Sequence, residues 1–139
     1  MEEQYIKMCD CPEIQDGWEP KVWDRTDKGV ITRVTTPGLM IEINGYGWPS
    51  KLYKKTDLVF CPIQEQLQGM VGPIFWKVVP TYPQVLDEMY DAFSVFIFEG
   101  KTNTQWPYNH KVTNQELWLA FVMHELHNKK RDGEKWTKN

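Results

Sequence analysis

The chain has 139 residues, of which 41% are hydrophobic and 25% are charged, the balance of an ordinary globular protein. Its net charge of −3 disfavours non-specific nucleic-acid binding, because such binding depends on cationic neutralisation of phosphates. No apolar run approaches the ~20 residues that span a bilayer, so we expect no membrane segment.

The N-terminus and the cysteines indicate a cytoplasmic protein. Glu2 and Glu3 stand where a signal peptide would begin with basic residues followed by an apolar run. The cysteines number three, and an odd number favours free thiols in a reducing compartment. We therefore expect a cytoplasmic location.

The charges are spread unevenly between the two ends of the chain. Residues 1–20 carry six carboxylates and one lysine, a balance of −5. Residues 129–139 carry five basic side chains and two carboxylates, a balance of +3. The simplest interpretation is two solvated surface segments. The alternatives are mutual docking of the two ends and a weak anion-binding patch at the C-terminal end.

The first half of the chain has the pattern of β-strands. Residues 39–44 alternate apolar and polar side chains, which is typical of a half-buried strand, and residues 29–36 are rich in Val, Ile and Thr. Thr36-Pro37-Gly38 separates these two runs and predicts a hairpin turn. Residues 51–53 and 57–60 are shorter strand candidates.

A short helix is predicted to follow. Cys61-Pro62 has the pattern of a helix start, because proline is tolerated in the first turn. Gly69 and Gly72 are predicted to end this helix. Residues 75–79 are then expected to form a fifth strand or an extended connector.

A second helix is predicted from its start signal and its apolar spacing. Thr81 and Gln84 match the capping-box pattern, and apolar residues recur along one face over residues 86–97. Gly100 is predicted to terminate this helix, and residues 101–112 to form a polar loop.

The third predicted helix covers residues 113–126. Thr113 and Glu116 match a capping box, and seven consecutive apolar residues follow at 117–123. A helix that is apolar on nearly all sides needs cover from several neighbours. We therefore expect it to be the most buried helix, with a surplus of apolar surface that a partner protein or a second copy of the chain would cover.

Together these patterns predict a single α+β domain over residues 1–139. A small antiparallel β-sheet of three to five strands in the N-terminal half is expected to be packed by about three helices from the C-terminal half. Asp132-Gly133 predicts a turn after the last helix, from which Trp136 would fold back.

Histidine and cysteine offer a small set of candidate metal ligands. His124 and His127 resemble the zinc-protease motif H-E-x-x-H, but the motif needs its second histidine at position 128, which is Asn128. His110 could supply a third ligand. Cys9 and Cys11 are too close together for a zinc knuckle, and only one further cysteine, Cys61, is present. We therefore predict no metal and no cofactor, and keep a small Cys/His metal-dependent enzyme as the alternative.

Other motifs argue against the common enzyme classes. The segment 24–29 resembles the opening of a calcium loop, but Lys28 occupies a ligand position and Thr35 stands where the loop needs a bidentate glutamate, so we interpret the segment as a turn before the hairpin. The sequence lacks a Gly-Lys-Ser/Thr phosphate loop and a Gly-x-Ser-x-Gly nucleophile motif. No catalytic residue can be assigned.

Aromatic and basic residues occur together in two stretches that could stack on single-stranded nucleic acid. The first covers residues 48–55, and the second is Phe75-Trp76-Lys77. The basic and aromatic residues of the first stretch are Trp48, Lys51, Tyr53, Lys54 and Lys55. Because the chain is acidic overall, nucleic-acid binding is the second alternative and not the main prediction.

Segments in three regions of the chain resemble a group of small phage- and prophage-encoded bacterial proteins whose function is not established. The resembling segments are residues 6–9 with 12–15, 64–70, 116–123 and 132–136. The resemblance implies a cytosolic accessory protein of viral origin and supplies no catalytic residues. We therefore predict a non-enzymatic protein-interaction module that binds a partner protein or itself.

Overall fold

The computed structural model describes residues 3–35, 40–43, 51–76, 81–98, 112–132 and 135–139. Its contacts divide the chain into two compact units, Met1–Pro62 and Ile63–Asn139. The first unit contains a four-stranded antiparallel sheet and the second contains three long helices, so the predicted α+β class is confirmed. The single domain over residues 1–139 stays a prediction.

The sheet of the first unit is antiparallel, with its described strands in chain order. They are β1 (Arg25–Thr26), β2 (Gly29–Thr35), β3 (Met40–Ile43) and β4 (Lys51–Lys54). The predicted pairing of residues 29–36 with 39–44 and the strand at 51–53 are therefore confirmed. The predicted turn at Thr36-Pro37-Gly38 lies outside the described residues.

Alternation of side chains gives the sheet one buried and one exposed face. Ile31, Ile41 and Ile43 are buried, and Ile31 pairs directly with Ile43. On the other face, the Arg33 guanidinium lies 3.4 Å from the Glu42 carboxylate. The register shifts between Ile31 and Arg33, which is the mark of a β-bulge.

The strand predicted at residues 57–60 is wrong. Lys55–Asp57 forms a short 3₁₀ helix, and the Asp57 carboxylate accepts a hydrogen bond from the Lys54 backbone N–H at 3.2 Å. Phe60 contributes only an isolated antiparallel bridge with Thr26. The Lys54 backbone N–H is therefore satisfied by the Asp57 side chain and not by a neighbouring strand.

Two short helices near the N-terminus were not predicted. They are α1 (Glu3–Cys9) and α2 (Pro12–Gln15), and Pro12 is the first residue of α2, a position where proline is tolerated. The Gln15 side-chain amide donates to the Cys9 carbonyl at 2.8 Å and to the Phe60 carbonyl at 2.9 Å. Gln15 also accepts from the Phe60 backbone N–H at 2.9 Å, which ties these helices to the chain beyond the sheet.

The second unit is built from three long helices and a hairpin among its described residues. The helices are α3 (Gln64–Trp76), α4 (Tyr82–Phe98) and α5 (Asn114–His127), and the hairpin strands are β5 (Lys129–Asp132) and β6 (Lys135–Lys138). Helix α5 packs against α3, α4 and β5. None of the described helices combines the length and the apolar composition that crossing a membrane requires.

Helix α5 begins and ends on specific side-chain and backbone features. The Thr113 hydroxyl accepts a hydrogen bond from the Glu116 backbone N–H at 3.2 Å, so the predicted cap is confirmed. At the other end, Asn128 adopts the left-handed conformation with φ of 52°. Asparagine tolerates this conformation better than most residues and commonly terminates helices.

The apolar run of α5 is the most buried helical surface among the described residues, as predicted. Every residue from 118 to 123 is buried. The Trp118 ring stacks on Phe93 of α4 with centroids 4.0 Å apart, and the rings of Phe121 and Phe93 form a T-shaped pair with centroids 5.6 Å apart. Neighbouring elements of the same unit therefore cover much of the run.

Helix α3 is longer than predicted. It continues through Gly69, Gly72 and Pro73 to Trp76, so the predicted end at the glycines is wrong. The strand or extended connector predicted over residues 75–79 is wrong at residues 75 and 76, which are helical. Residues 77–80 lie outside the described part of the chain. Each glycine costs a helix about 1 kcal/mol, which the burial of Leu67 and Val71 on the same helix offsets.

The hairpin after α5 was predicted only as a fold-back of Trp136. Arg131 pairs across the strands with Trp136, and its guanidinium carbon lies 5.3 Å from the centre of the indole ring. This distance is typical of a cation–π contact. Trp136 therefore folds back onto the preceding strand, as predicted. Gly133 of the predicted turn lies outside the described residues. Gly100, predicted to end α4, and residues 101–111 of the predicted loop lie outside them as well.

Candidate functional site

Large apolar side chains are exposed at several places in the described structure, but not along the buried run of α5. The exposed set is Val22, Trp23, Leu52, Trp76, Tyr90, Val95, Phe98 and Leu126. The surplus of apolar surface expected on this helix is therefore not found along residues 118–123, which are all buried, and the exposed apolar residues are distributed over several other places in the described structure. Trp23 differs from the others because its backbone is also in an unusual conformation.

Trp23 occupies the tip of a tight turn. The turn runs from Lys21 to Asp24 and closes with a hydrogen bond from the Asp24 backbone N–H to the Lys21 carbonyl at 3.1 Å. Trp23 has a φ of 78°, the value that the third residue of a type II turn adopts at about +80°. That position favours glycine, because a side chain there is strained. A tryptophan at this position is a conformational outlier.

The turn is held in place by hydrogen bonds on both sides of Trp23. The Asp24 carboxyl oxygen Oδ2 accepts from the Trp18 indole N–H at 2.9 Å and from the Lys21 backbone N–H at 3.0 Å. The Trp23 backbone N–H donates to the Ile31 carbonyl at 2.9 Å, and the Ile31 N–H donates to the Asp24 carbonyl at 3.0 Å. The turn is thus held by hydrogen bonds with Ile31 of strand β2 and with the indole of Trp18, which together form its brace.

The brace itself is anchored in the core of the first unit. Trp18 is buried and stacks nearly parallel on Phe60, with ring centroids 4.9 Å apart. Asp24 is buried as well, although it is a charged residue type. Burial of an acid is costly unless hydrogen bonds compensate, and Asp24 receives two. The core therefore supports a turn whose tip points out of it.

The tip presents an apolar surface with basic flanks. Trp23 is 79% exposed, and Val22 beside it is exposed as well. Lys21 and Arg25 on either side are also exposed. Tryptophan and arginine are the residue types that most often dominate the energetics of protein interfaces. We name Val22 and Trp23 the tryptophan tip.

Sequence reasoning did not find the tryptophan tip. Seven tryptophans in 139 residues suggest core packing, and Lys21-Val22-Trp23-Asp24 contains no glycine or asparagine to signal a type II turn. Pro20 and Asp24 were the available turn signals, and they could have suggested a break in regular structure but not its conformation.

The three cysteines are all buried and lie in the first unit. Burial raises the pKa of the Cys9 thiol far above its ordinary range, and a hydrogen bond to Cys61 raises that pKa further. The charge of Cys11 acts in the same direction. The three thiols, of which Cys61 is distant from the other two in the sequence, therefore interact through Cys9 in the folded chain. The raised pKa keeps the Cys9 thiol protonated and hence weakly nucleophilic.

The buried thiol makes stability depend on alkaline pH. Unfolding exposes Cys9, whose ordinary pKa is 9.0, so the unfolded state releases a proton that the native state keeps. This contribution is fully present below pH 9.0 and declines as the pH rises above it. We expect the free energy of unfolding to fall by about 2 kcal/mol between about pH 8.5 and about pH 10.5 because of Cys9. Urea denaturation across this range should show a steeper decline in the natural chain than in Cys9→Ala; equal slopes would contradict the expectation.

The candidate metal ligands form no metal site in the part of the chain that the structure describes. No group of three or more His, Cys, Asp or Glu side chains there could hold a metal ion. The His124 ring nitrogen Nδ1 lies 3.0 Å from the Asn139 side-chain amide, and the same ring lies 5.1 Å from that of Phe96. His110 lies outside the described residues.

The two aromatic–basic stretches differ in their local structure. Lys51 and Tyr53 lie on one face of β4, and Lys54 lies on the other, because side chains alternate along a strand. Residues 44–50, including Trp48, are outside the described part of the chain, as is Lys77. Phe75 and Trp76 form the last turn of α3. Within β4, the basic residues therefore do not form a single stacking platform.

Comparisons of the sequence with protein-family models and with curated proteins find no match, and a comparison with solved structures finds none either.

Proposed function

We propose that this chain is a non-enzymatic protein-interaction module that binds its partner through the tryptophan tip. The proposal includes a phage-derived accessory role in the bacterial cytoplasm, which is supported by the resemblance of residues 6–9 with 12–15, 64–70, 116–123 and 132–136 to phage-encoded proteins. The partner is a protein whose surface offers an apolar pocket of tryptophan size.

The observation that supports this proposal is that the exposed residue Trp23 has a strained backbone conformation. A bulky residue in the left-handed region costs about 1–2 kcal/mol, and the exposed indole recovers little of it through burial within the chain. Such strain is found most often at functional sites, where the surrounding structure maintains it. Insertion of the indole into a partner's pocket would recover apolar burial that the isolated chain lacks.

Replacing Trp23 by glycine separates binding from folding. Glycine fits a φ of 78° without strain, so we expect Trp23→Gly to fold with unchanged stability or with a gain of up to about 1 kcal/mol. The same variant should lose a partner that the natural chain captures from bacterial lysate. Quantitative mass spectrometry of the captured proteins, together with urea denaturation of both chains, measures the two effects.

A matched control comes from the same unit. Leu52 is also an exposed apolar residue but lies in the regular strand β4, so Leu52→Ala should keep the partner. Capture that Trp23→Gly leaves intact would refute the tryptophan tip as the binding site. Light scattering over a concentration series identifies self-association, for which Trp23→Gly should convert the dimer to a monomer.

A further inference from the structure

Two of the buried thiols, those of Cys9 and Cys61, contact each other inside the first unit. Cys9 is the last residue of α1, and Cys61 directly follows Phe60, which forms the isolated bridge with Thr26. Both cysteines are 0% exposed, and the Cys9 thiol is hydrogen-bonded to the Cys61 thiol. Nearly the whole first unit separates them along the chain, so only folding brings them together.

A tyrosine side chain connects the two segments that carry these cysteines. The Tyr5 hydroxyl, from α1, donates a hydrogen bond to the carbonyl of Pro62, the residue after Cys61. The same hydroxyl is a hydrogen-bond partner of the Cys9 thiol. Tyr5 is itself buried. A buried side chain that contacts both segments limits how far the two thiols can separate.

The side-chain amide of Gln15 holds the same two segments together through their backbones. It donates to the Cys9 carbonyl at 2.8 Å and to the Phe60 carbonyl at 2.9 Å, and it accepts from the Phe60 backbone N–H at 2.9 Å. The Cys61 backbone N–H donates to the Arg25 carbonyl of β1 at 2.9 Å. Backbone hydrogen bonds beside each cysteine therefore maintain the proximity of the two thiols.

Cys11 differs from Cys61 in its relation to Cys9. Its backbone N–H donates to the Cys9 carbonyl at 2.8 Å, and it is 8% exposed. Cys61 is hydrogen-bonded to the Cys9 thiol, whereas Cys11 acts on that thiol through its charge. Cys61 is therefore the nearer thiol to Cys9, although Cys11 is far closer in the sequence.

We propose that Cys9 and Cys61 form a redox modification site, which closes to an intramolecular disulfide on reaction with a small-molecule disulfide such as glutathione disulfide. Folding has already brought the two thiols into contact, so the bond costs the native chain little entropy. The closed loop would contain all four strands β1–β4 and the tryptophan tip, so oxidation would stabilise the first unit. The site does not rest on the function proposed for that tip.

The oxidation proceeds by two exchange steps. Deprotonated Cys61 attacks one sulfur of glutathione disulfide, which forms a mixed disulfide and releases one glutathione thiolate. Deprotonated Cys9 then attacks the Cys61 sulfur, which forms the protein disulfide and releases the second glutathione thiolate. The two protons lost by the cysteines protonate the two released thiolates. Two protein thiols are thus oxidised, and one glutathione disulfide is reduced to two glutathione molecules.

The site is expected to react slowly. Both thiols are buried, so the oxidant reaches them only when the structure opens locally. The raised pKa of Cys9 also keeps the second attacking thiol mostly protonated. The pair therefore responds to the sustained redox balance of its surroundings and not to brief exposure to an oxidant.

The direct test equilibrates the natural chain in buffers that contain different ratios of reduced to oxidised glutathione. Acid stops the exchange, the remaining thiols are alkylated, and mass spectrometry identifies the linked peptides. Cleavage on the N-terminal side of Asp10 separates Cys9 from Cys11, so the two possible linkages to Cys61 are distinguished. We expect Cys9 linked to Cys61, with Cys11 alkylated.

The same titration in concentrated urea measures how strongly the fold favours the disulfide. The fold and the disulfide stabilise each other by the same factor, so the value of [glutathione]²/[glutathione disulfide] at half oxidation should be at least about 30-fold higher for the native chain. The unfolding midpoint of the oxidised chain should lie at least about 8 °C above that of the reduced chain. Cys11→Ser is the matched control and should keep the half-oxidation value within about twofold.

Cys61→Ala should abolish the rise in unfolding midpoint on oxidation, and the mapping of the natural chain decides the question if this variant fails to fold. Three outcomes would overturn the proposal. They are the absence of a disulfide at every glutathione ratio, a disulfide that involves Cys11 or joins two chains, and equal half-oxidation values in native buffer and in urea.

Discussion

Phe121→Ala is expected to lower the free energy of unfolding by about 3–5 kcal/mol, the usual range for truncating a buried phenylalanine. Phe121 is fully buried in α5, and its ring contacts those of Phe93, Phe96 and Trp118 at centroid distances of 5.5–5.7 Å. Alanine would leave a cavity among rigid rings that cannot easily close around it. Urea denaturation followed by circular dichroism measures the loss.

The control for this prediction is Phe98→Ala at the end of α4. Phe98 is 89% exposed, so its truncation removes little buried surface and should change stability by less than about 0.5 kcal/mol. A loss below about 1 kcal/mol for Phe121→Ala would mean that α5 is not central to the second unit. The comparison keeps the residue type and the substitution constant and changes only burial.

Asp24→Ala is expected to cost about 2–4 kcal/mol, because it leaves two donors without their acceptor. The indole N–H of Trp18 and the backbone N–H of Lys21 both donate to Asp24 Oδ2 at 2.9 and 3.0 Å. Trp18 is buried, so water cannot freely replace the lost acceptor. Equilibrium unfolding in urea gives the loss, and the near-ultraviolet circular dichroism should show a changed Trp18 environment.

Asp24→Asn distinguishes the hydrogen bonds from the size of the side chain. An amide oxygen has two lone pairs and can accept both donors, so this variant should lose about 1 kcal/mol or less. Equal losses for the alanine and asparagine variants would show that acceptance at Oδ2 is not what holds the turn. Asp24→Ala should also weaken partner capture, because the brace that maintains the strained conformation of Trp23 is removed.

The variants Trp23→Gly and Asp24→Ala change different parts of the turn from Lys21 to Asp24. Trp23→Gly removes the exposed side chain and relieves strain, whereas Asp24→Ala removes the support and destabilises the unit. Loss of capture in both, with opposite effects on stability, is the pattern expected of a braced binding residue. If Trp23 served only the fold, its replacement would abolish partner capture only by lowering the stability of the chain.

Local signals predicted the parts of the fold that depend on neighbouring residues along the chain. Thr113 and Glu116 lie three residues apart, so the cap of α5 could be read directly, and the run at 117–123 indicated its burial. Alternation over residues 39–44 likewise predicted β3, because the period of side chains along a strand is two. The pairing of β3 with β2 followed from the turn signal between them.

Local signals failed where packing outweighed propensity. Gly69, Gly72 and Pro73 all disfavour a helix, yet α3 passes through them because Leu67 and Val71 are buried on its other side. Asp57, the first residue of the strand predicted at 57–60, instead ends a 3₁₀ helix, and its carboxylate accepts a hydrogen bond from the Lys54 backbone N–H. The burial of one helix face against residues distant in the chain is not visible in composition or periodicity.

The sequence by itself determined the α+β class, the most buried helix and the short supply of metal ligands, because each depends on residue type and spacing along the chain. Only the tertiary structure decided which aromatic side chains face outward. Trp18 and Trp23 are five residues apart and chemically identical, but one stacks on Phe60 in the core and the other forms an exposed tip. The difference arises from a φ of 78° that hydrogen bonds from Asp24 and to Ile31 maintain, and these partners come together only when the chain is folded.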